Sequence, residues 1–256
     1  MDLRLKGNHV LVTGGSKGIG AACAKVFLQE GCLVTIVARD AAKLETARAE
    51  LSAFGEIKAV AADLSKPAER ERVAIAHANT TILVNNAGAI PGGGLLDLTM
   101  DRWQEAWNLK VFGYIHMTQM LLARMKDRKA GTIVNIIGAA GRSPRYDYVC
   151  GATGNAALMA FTGAMGGQSV DWGVRVFGIN PAATRTDRMI TLAKTRAKAT
   201  LGDESRWEET LKGLPLGRAI ESEEIANAAA FLASPACGYV SGTVLDVDGG
   251  GHYRGK

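Results

Sequence analysis

The sequence predicts a three-layer α/β/α fold, in which one doubly wound parallel sheet is covered by helices on both faces. Short apolar runs alternate with longer helical stretches throughout the chain, and the apolar runs are continuous. Strands buried on both faces of a parallel sheet have this continuous apolar character. The chain has 256 residues, of which 47% are hydrophobic. No linker or repeat divides it, so residues 1–256 are predicted to form a single domain.

The predicted strands and helices alternate, as the crossover connections of a parallel sheet require. Seven apolar runs are predicted to be strands: His9–Thr13, Leu33–Val37, Ile57–Ala61, Ile82–Val84, Thr132–Ile137, Val174–Ile179 and Val244–Val247. Six longer stretches are predicted to be helices: Gly18–Glu30, Asp40–Ala53, Ala68–Ala78, Asp101–Lys126, Tyr148–Val170 and Ser222–Ala233.

One long segment, residues 184–216, falls outside this alternation and is charged and helix-prone. Long excursions in compact domains are often functional, so we predict a lid over a substrate cleft. The alternative is a surface helical hairpin with no role in binding.

The composition argues against several classes of protein. No run of about 20 apolar residues exists, so no membrane partner is expected. The first residues are charged, unlike a secretory signal, and the four cysteines are scattered, which together predict a cytoplasmic protein with reduced thiols. Lysines and arginines are dispersed despite a net charge of +5, so we expect no nucleic-acid partner. The four histidines lack metal-ligand spacing, and no metal site is predicted.

A glycine-rich segment lies between the first predicted strand and the first predicted helix. In this context glycines let the backbone approach a pyrophosphate, which rests on the N–H groups at the start of the helix. The alternative is a glycine-rich turn that binds nothing. The candidate cofactor-binding residues in this segment are Gly14, Ser16, Lys17, Gly18, Ile19 and Gly20.

The end of the second strand indicates which dinucleotide would bind. An acidic residue there would take the ribose hydroxyls of NAD, but the position holds Ala38, followed by Arg39. A guanidinium suits a 2′-phosphate because it forms bidentate, charge-assisted hydrogen bonds, and Lys17 adds a second cation nearby. The sequence therefore favours NADP(H) over NAD(H). The alternative is that Arg39 is a solvated loop residue and Asp40 simply caps the next helix.

Further motifs extend over nearly the whole chain. The segment Thr13–Gly20 resembles the Thr-Gly-x-x-x-Gly-x-Gly motif of the short-chain dehydrogenase/reductase family, and Asn85–Gly88 is similar to its Asn-Asn-Ala-Gly strand end. Asn180-Pro181 resembles its Pro-Gly turn, with Ala182 replacing the glycine, and Gly242–Gly250 resembles its closing strand.

This resemblance implies a Rossmann-type oxidoreductase that acts on a small-molecule substrate. It also implies a homotetramer or homodimer that pairs through the predicted helices Asp101–Lys126 and Tyr148–Val170. The resemblance adds the following cofactor-binding residues, the first two contacting adenine: Asp63, Leu64, Asn86, Ala87, Gly88, Asn155, Pro181, Thr184 and Thr186.

The catalytic half departs from the family pattern. The family uses a Tyr as acid or base, a Lys four residues later, a Ser that orients substrate and an Asn that holds a water. Flanking motifs place these four positions, in the same order, at Gly151, Asn155, Gly138 and Lys110. All four usual residues are therefore replaced, and no simple shift of register restores them.

Three nearby residues are candidates for the catalytic work. Tyr148 precedes Gly151 by three residues, so its ring can lean into the gap that the glycine leaves. Lys110 would then supply the lost positive charge and lower the pKa of the tyrosine across space, and Asn155 would hydrogen-bond the nicotinamide ribose. The alternatives are that Tyr148 only lines a pocket and that Lys110 reaches the surface or pairs with a carboxylate such as Asp147.

We therefore expect an NADP(H)-dependent oxidoreductase that interconverts a carbonyl and an alcohol through a non-standard catalytic site. Two alternatives remain open: a non-redox lyase or isomerase on the same scaffold, and a cofactor-binding regulator without turnover.

Overall fold

The computed structural model describes residues 1–254, and the last two residues of the predicted domain lie outside this range. All seven strands form one parallel sheet in the order β3-β2-β1-β4-β5-β6-β7, which confirms the predicted Rossmann-type fold. The strands are His9–Thr13 (β1), Leu33–Ala38 (β2), Ile57–Ala61 (β3), Ile82–Asn85 (β4), Gly131–Ile136 (β5), Val174–Pro181 (β6) and Val244–Val247 (β7).

Helices cover both faces of the sheet, and each face has its own buried core. Apolar residues of α1, α2 and α8 pack on one face, and those of α3 and α5 pack on the other. Within residues 1–254, no helix has the length and hydropathy needed to cross a membrane. The helices are Gly18–Gln29 (α1), Ala41–Leu51 (α2), Pro67–Ala76 (α3), Met100–Leu109 (α4), Val111–Arg128 (α5), Val149–Ser169 (α6), Asp187–Leu201 (α7) and Ser222–Ala233 (α8).

The prediction of a single helix over Asp101–Lys126 is wrong, because the structure divides this stretch into α4 and α5 at Lys110. Arg70, which is 4% exposed, donates from Nη1 to the carbonyl oxygen of Asn108 over 2.9 Å. A buried guanidinium that binds a main-chain carbonyl at this point diverts the carbonyl from the helical ladder. The bend therefore depends on a contact across 38 positions of sequence, and it sets the direction in which the Lys110 side chain leaves the backbone.

The excursion at residues 184–216 contains α7 and a 3₁₀ segment, Glu204–Leu211. Its first residues are fixed to the body of the protein, because Thr184 forms an isolated bridge with Ile220. The segment leaves the sheet at the end of β6, beside the edge where the other strand ends lie. Its function as a lid stays a prediction.

Arg175 on β6 links the sheet to the end of α8. Its guanidinium donates to the carbonyl oxygens of Leu232 and Ala233 over 2.7 and 2.8 Å, which are among the acceptors that a helix end leaves without partners. Burial lowers the pKa of Arg175, but an arginine remains charged well above neutral pH. The bonds are therefore charge-assisted.

We expect Arg175→Met to lower the free energy of unfolding by about 2–4 kcal/mol, because buried carbonyls lose charged donors. Urea unfolding at a fixed protein concentration measures the change. Arg124→Met removes an exposed arginine from α5 and should change stability by less than about 0.5 kcal/mol. Equal midpoints for the two variants would contradict the role assigned to Arg175.

Candidate active site

The candidate site lies where the carboxyl ends of the central strands meet. The sheet order reverses at β1, whose neighbours β2 and β4 are followed by helices on opposite faces. Loops leaving these strands diverge and open a crevice, which is where ligands bind in folds of this kind. The predicted cofactor residues Gly14–Gly20, Arg39 and Asn86–Gly88 all follow the ends of these three strands.

The glycine loop is packed too closely to carry side chains. A Cβ placed on Gly20 would overlap the carbonyl oxygen of Gly14, and one on Gly14 would lie 2.9 Å from Cα of Ala87. Gly14 also has a φ of +67°, a conformation that glycine adopts without strain. The loop thus brings bare backbone to the N-terminus of α1, where no side chain caps the helix.

Asn86 and Thr13 fasten this loop to the end of β4. The Asn86 side chain donates from Nδ2 to the carbonyl oxygens of Thr13 and Gly14, each over 3.1 Å. In return, the Thr13 hydroxyl accepts from the N–H groups of Asn86 and Ala87. Asn86, predicted as a cofactor contact, therefore holds the shape of the loop, while Gly88 beyond it is exposed toward the crevice.

The adenosine end of the site presents an exposed arginine. Arg39 is exposed at the end of β2, while Asp40 accepts from the N–H of Lys43 and caps α2. Burial opposes ionisation of Asp63, but hydrogen bonds from Ser65 and the nearby charge of Arg39 outweigh it, so the pKa of Asp63 is lowered. Arg39 therefore adds positive charge near the ends of β2 and β3.

The remaining predicted cofactor residues differ in accessibility. Leu64 is 3% exposed and belongs to the core, so only its main chain can face a ligand. Ser16 and Ile19 are half-buried in the loop and the first turn of α1, and Pro181 is half-buried at the end of β6. Thr184 is buried and donates to the carbonyl oxygen of Ala182, so its hydroxyl serves the turn.

Two residues, one on α6 and one on β6, fix the backbone at Gly138, the position where the family carries a serine. Asn155, 2% exposed, donates from Nδ2 to the carbonyl oxygen of Gly138 over 3.2 Å. Asn180 accepts from the N–H of Gly138 over 3.3 Å and donates to Asp246 over 2.7 Å. The sequence prediction missed this role of Asn180; its only signal was its place in the Asn180-Pro181 motif.

The two substituted positions fit each other. Gly138 has a φ of +135°, and a Cβ there would lie 2.8 Å from Nδ2 of Asn155. The asparagine thus occupies space that a side chain at position 138 would need. Its Oδ1 is buried and has no hydrogen-bond partner within the described protein. A buried acceptor of this kind matches a hydroxyl donor supplied by a ligand.

Tyr148 occupies the space beside Gly151. The residue precedes α6 with a φ of −143°, so the prediction that the helix begins at Tyr148 is wrong by one residue. Its ring nevertheless reaches the gap: a Cβ on Gly151 would overlap Cε1 and Cζ of the ring and lie 2.6 Å from the hydroxyl oxygen. The ring also packs against an apolar cluster that includes Trp103 and Trp107.

Lys110 reaches the end of β5 from the junction of α4 and α5. Its stem lies over Gly88, and its Nζ donates to the carbonyl oxygen of Ile137 over 2.5 Å. Ile137 immediately precedes Gly138, so the ammonium lies one residue from the backbone that Asn155 holds. Asp147, considered as a partner for this lysine, forms an ion pair with Arg145. The structure thus brings Lys110 and Asn155 to adjacent main-chain carbonyls, those of Ile137 and Gly138, at the end of β5.

The residues present fit a nicotinamide dinucleotide. The glycine cradle and the uncapped start of α1 suit a pyrophosphate, and the exposed Arg39 suits a 2′-phosphate. The orphaned Oδ1 of Asn155 suits a ribose hydroxyl.

Comparison with known proteins shows which family the chain belongs to. The family model for short chain dehydrogenase matches residues 8–197. The chain belongs to the short-chain dehydrogenase family. It is 31% identical to the uncharacterized oxidoreductase YvrD of Bacillus subtilis, with 98% of each chain covered. Members of this family use nicotinamide cofactors, and relatives such as this one are oxidoreductases.

Solved structures of the short-chain dehydrogenase family include complexes with both kinds of nicotinamide cofactor. L-sorbose reductase from Gluconobacter frateurii, complexed with NADPH and L-sorbose, is 29% identical with a TM-score of 0.90, covering 97% of this chain and 98% of that one. A 7α-hydroxysteroid dehydrogenase complexed with NADH and 7-oxo glycochenodeoxycholic acid is 28% identical with a TM-score of 0.86, covering 97% and 96%.

We expect Gly20→Ala to lower the free energy of unfolding by about 1–3 kcal/mol, because its methyl group would meet backbone that cannot move away. The matched control is Gly167→Ala in α6, where a Cβ meets nothing within 4 Å and helix propensity should add about 0.5–1 kcal/mol. Thermal or urea unfolding gives both values. A Gly20→Ala protein as stable as the control would show that the loop is not sterically fixed.

Proposed function

We propose that this protein is an NADP(H)-dependent oxidoreductase that interconverts a carbonyl and an alcohol on a small molecule through a non-standard catalytic site. The observation that carries the proposal is that Lys110 and Asn155 meet at the end of β5, while Tyr148 fills the space beside Gly151 on the helix that carries Asn155. The bound cofactor supplies the hydride, and the protein supplies position and the proton.

The proposal of NADP(H) rests on charge at the end of β2. Arg39 stands where an NAD enzyme would carry an acid, and its charge acts on Asp63 at the neighbouring strand end. An arginine binds a phosphate with two parallel charge-assisted hydrogen bonds. The NADPH complex of L-sorbose reductase supports this choice, whereas the NADH complex of the hydroxysteroid dehydrogenase represents the other branch of the family.

Tyr148 is the proposed proton donor and acceptor. Its hydroxyl lies in the space beside Gly151, on the helix position from which the family presents its tyrosine. The phenol is not at the family's position, however, and a displacement of about 1 Å can cost around 10²-fold in rate. The substrate is therefore proposed to lie closer to the start of α6, against the cluster that contains Trp103 and Trp107.

Lys110 and Asn155 are proposed to support this tyrosine from two sides. A cation near a phenol favours the phenolate and so eases proton release, and the ammonium of Lys110 is held beside Ile137. Asn155, through its free Oδ1, is proposed to accept a hydrogen bond from the nicotinamide ribose. In this proposal the neutral Asn155 binds the ribose, and the positive charge comes from Lys110 at the junction of α4 and α5.

The glycines at positions 138 and 151 favour one second candidate, a protein that binds the cofactor without turnover. Neither position carries a polar side chain that could orient a substrate. Tight NADPH binding with no turnover of any carbonyl would support this reading, and product formation without net NADPH change would support a lyase or isomerase.

Self-association and location complete the proposal. A groove of about 390 Å³ between α5 and α6 is lined by Leu122, Phe161, Met165 and Trp172, and we propose that it is covered in a homodimer or homotetramer.

The residues 184–216 are proposed to close over substrate. Cys23, Cys32 and Cys150 are buried free thiols, in keeping with the proposed cytoplasmic location.

NADPH consumption against a panel of ketones, aldehydes and quinones tests the function. We expect turnover that falls by about 10²–10⁴-fold in Tyr148→Phe, because the proton donor is lost. Tyr146→Phe is the matched control, since Tyr146 lies two residues earlier and is exposed; its rate should be unchanged. Equal turnover in wild type and Tyr148→Phe would place the proton donor elsewhere, and Lys110→Met would be measured next.

Gly151→Ala tests whether the present location of the ring is the productive one. A methyl group there overlaps the Tyr148 ring, so the ring must move and the rate should fall by at least about 10-fold. NADPH affinity should stay unchanged, because the methyl group does not face the glycine loop. Gly167→Ala, on the same helix, serves as control. Full activity in Gly151→Ala would show that the phenol acts from another position.

A further inference from the structure

The first turn of α7 lies directly against the glycine loop. The methyl carbon of Thr186 is 3.2 Å from the position that a Cβ on Gly18 would occupy. The next residue, Asp187, places Oδ2 3.7 Å from Nζ of Lys17. A carboxylate from the proposed lid is thus paired with a cation of the proposed cofactor site.

The position of Asp187 is set by contacts on the other side of the segment. Arg185 donates its N–H to the carbonyl oxygen of Ile220 over 2.7 Å, and Ser222 donates its hydroxyl to the carbonyl of Arg185. The Arg185 guanidinium also pairs with Glu221 at 2.9 Å. Thr186 then caps α7. The backbone on which Asp187 stands is therefore anchored to the start of α8.

The ion pair is exposed and easily exchanged. The side chains of Lys17 and Asp187 are 66% and 79% exposed, and ion pairs of this kind are weak. A phosphate monoester carries up to two negative charges and three acceptor oxygens. It therefore outcompetes a single carboxylate for the same ammonium, provided that both reach it.

We propose that Asp187 is a specificity-determining residue for the cofactor, which competes with the 2′-phosphate of NADP(H) for Lys17. This inference rests on the proposed NADP(H) function and adds a residue to it. Without a phosphorylated cofactor, Asp187 is paired with Lys17. The 2′-phosphate takes the lysine from Asp187, whereas NADH, which lacks this phosphate, leaves the pair in place.

Dissociation constants for NADPH and NADH, measured by fluorescence titration at low salt, test the proposal. Asp187→Asn should lower the Kd of NADPH by about two- to fivefold and that of NADH by less than about 1.5-fold. The ratio of the NADH Kd to the NADPH Kd should therefore rise. Glu50→Gln is the matched control, because it removes one exposed carboxylate from the last turn of α2 at the opposite edge of the sheet. It should leave both constants unchanged.

The same substitution in a Lys17→Met background separates competition from general repulsion. If Asp187 acts through the lysine, Asp187→Asn has no further effect once Lys17 is gone. The proposal would be overturned by any of three results: an effect of Asp187→Asn that persists in Lys17→Met, an equal gain in affinity for both cofactors, or no gain in affinity for NADPH. A wild-type protein that binds neither nucleotide would overturn the proposed function itself, whereas normal binding with an inert Asp187→Asn overturns only the competition.

Discussion

The whole site depends on the close approach of two strand ends, β1 and β4, across which Thr13 and Asn86 exchange hydrogen bonds. These bonds draw the glycine loop so near the β4 end that no Cβ fits at Gly14 or Gly20. Because the loop is held by neighbouring strands, it needs no ligand to keep its shape. The uncapped N-terminus of α1 then faces the crevice with its N–H groups available.

A second constraint acts at the end of β5, where hydrogen bonds from polar side chains hold the main chain of Ile137 and Gly138. Asn155 and Asn180 bind the carbonyl and the N–H of Gly138, and Lys110 binds the carbonyl of Ile137. Three polar side chains from three separate segments thus fix the positions of two peptide groups. Such a frame is rigid because each main-chain group has a partner that is itself buried or anchored.

The sequence predicted the sheet and the glycine loop because both rest on local patterns. Continuous apolar runs and a glycine cluster between strand and helix are visible over a few residues. The bend at Lys110 was missed because Arg70 causes it from 38 residues away. The same reason hid the role of Asn180 and the pairing of Lys17 with Asp187, since contacts between remote segments leave no periodic trace. Tyr148 was located from spacing alone, but only the fold shows where its ring lies.

The paired packing of the substituted positions has a consequence for the evolution of the protein. A serine returned to position 138 would enter the space of Asn155 from a backbone with φ of +135°, and a tyrosine returned to position 151 would enter the ring of Tyr148. Gly138→Ser alone therefore meets Asn155 and Gly151→Tyr alone meets Tyr148, whereas a change at both members of a pair avoids the overlap. Substitutions within each pair, 138 with 155 and 148 with 151, are therefore expected to be non-additive. Along any series of such substitutions, the order of the changes decides whether an intermediate carries an overlap.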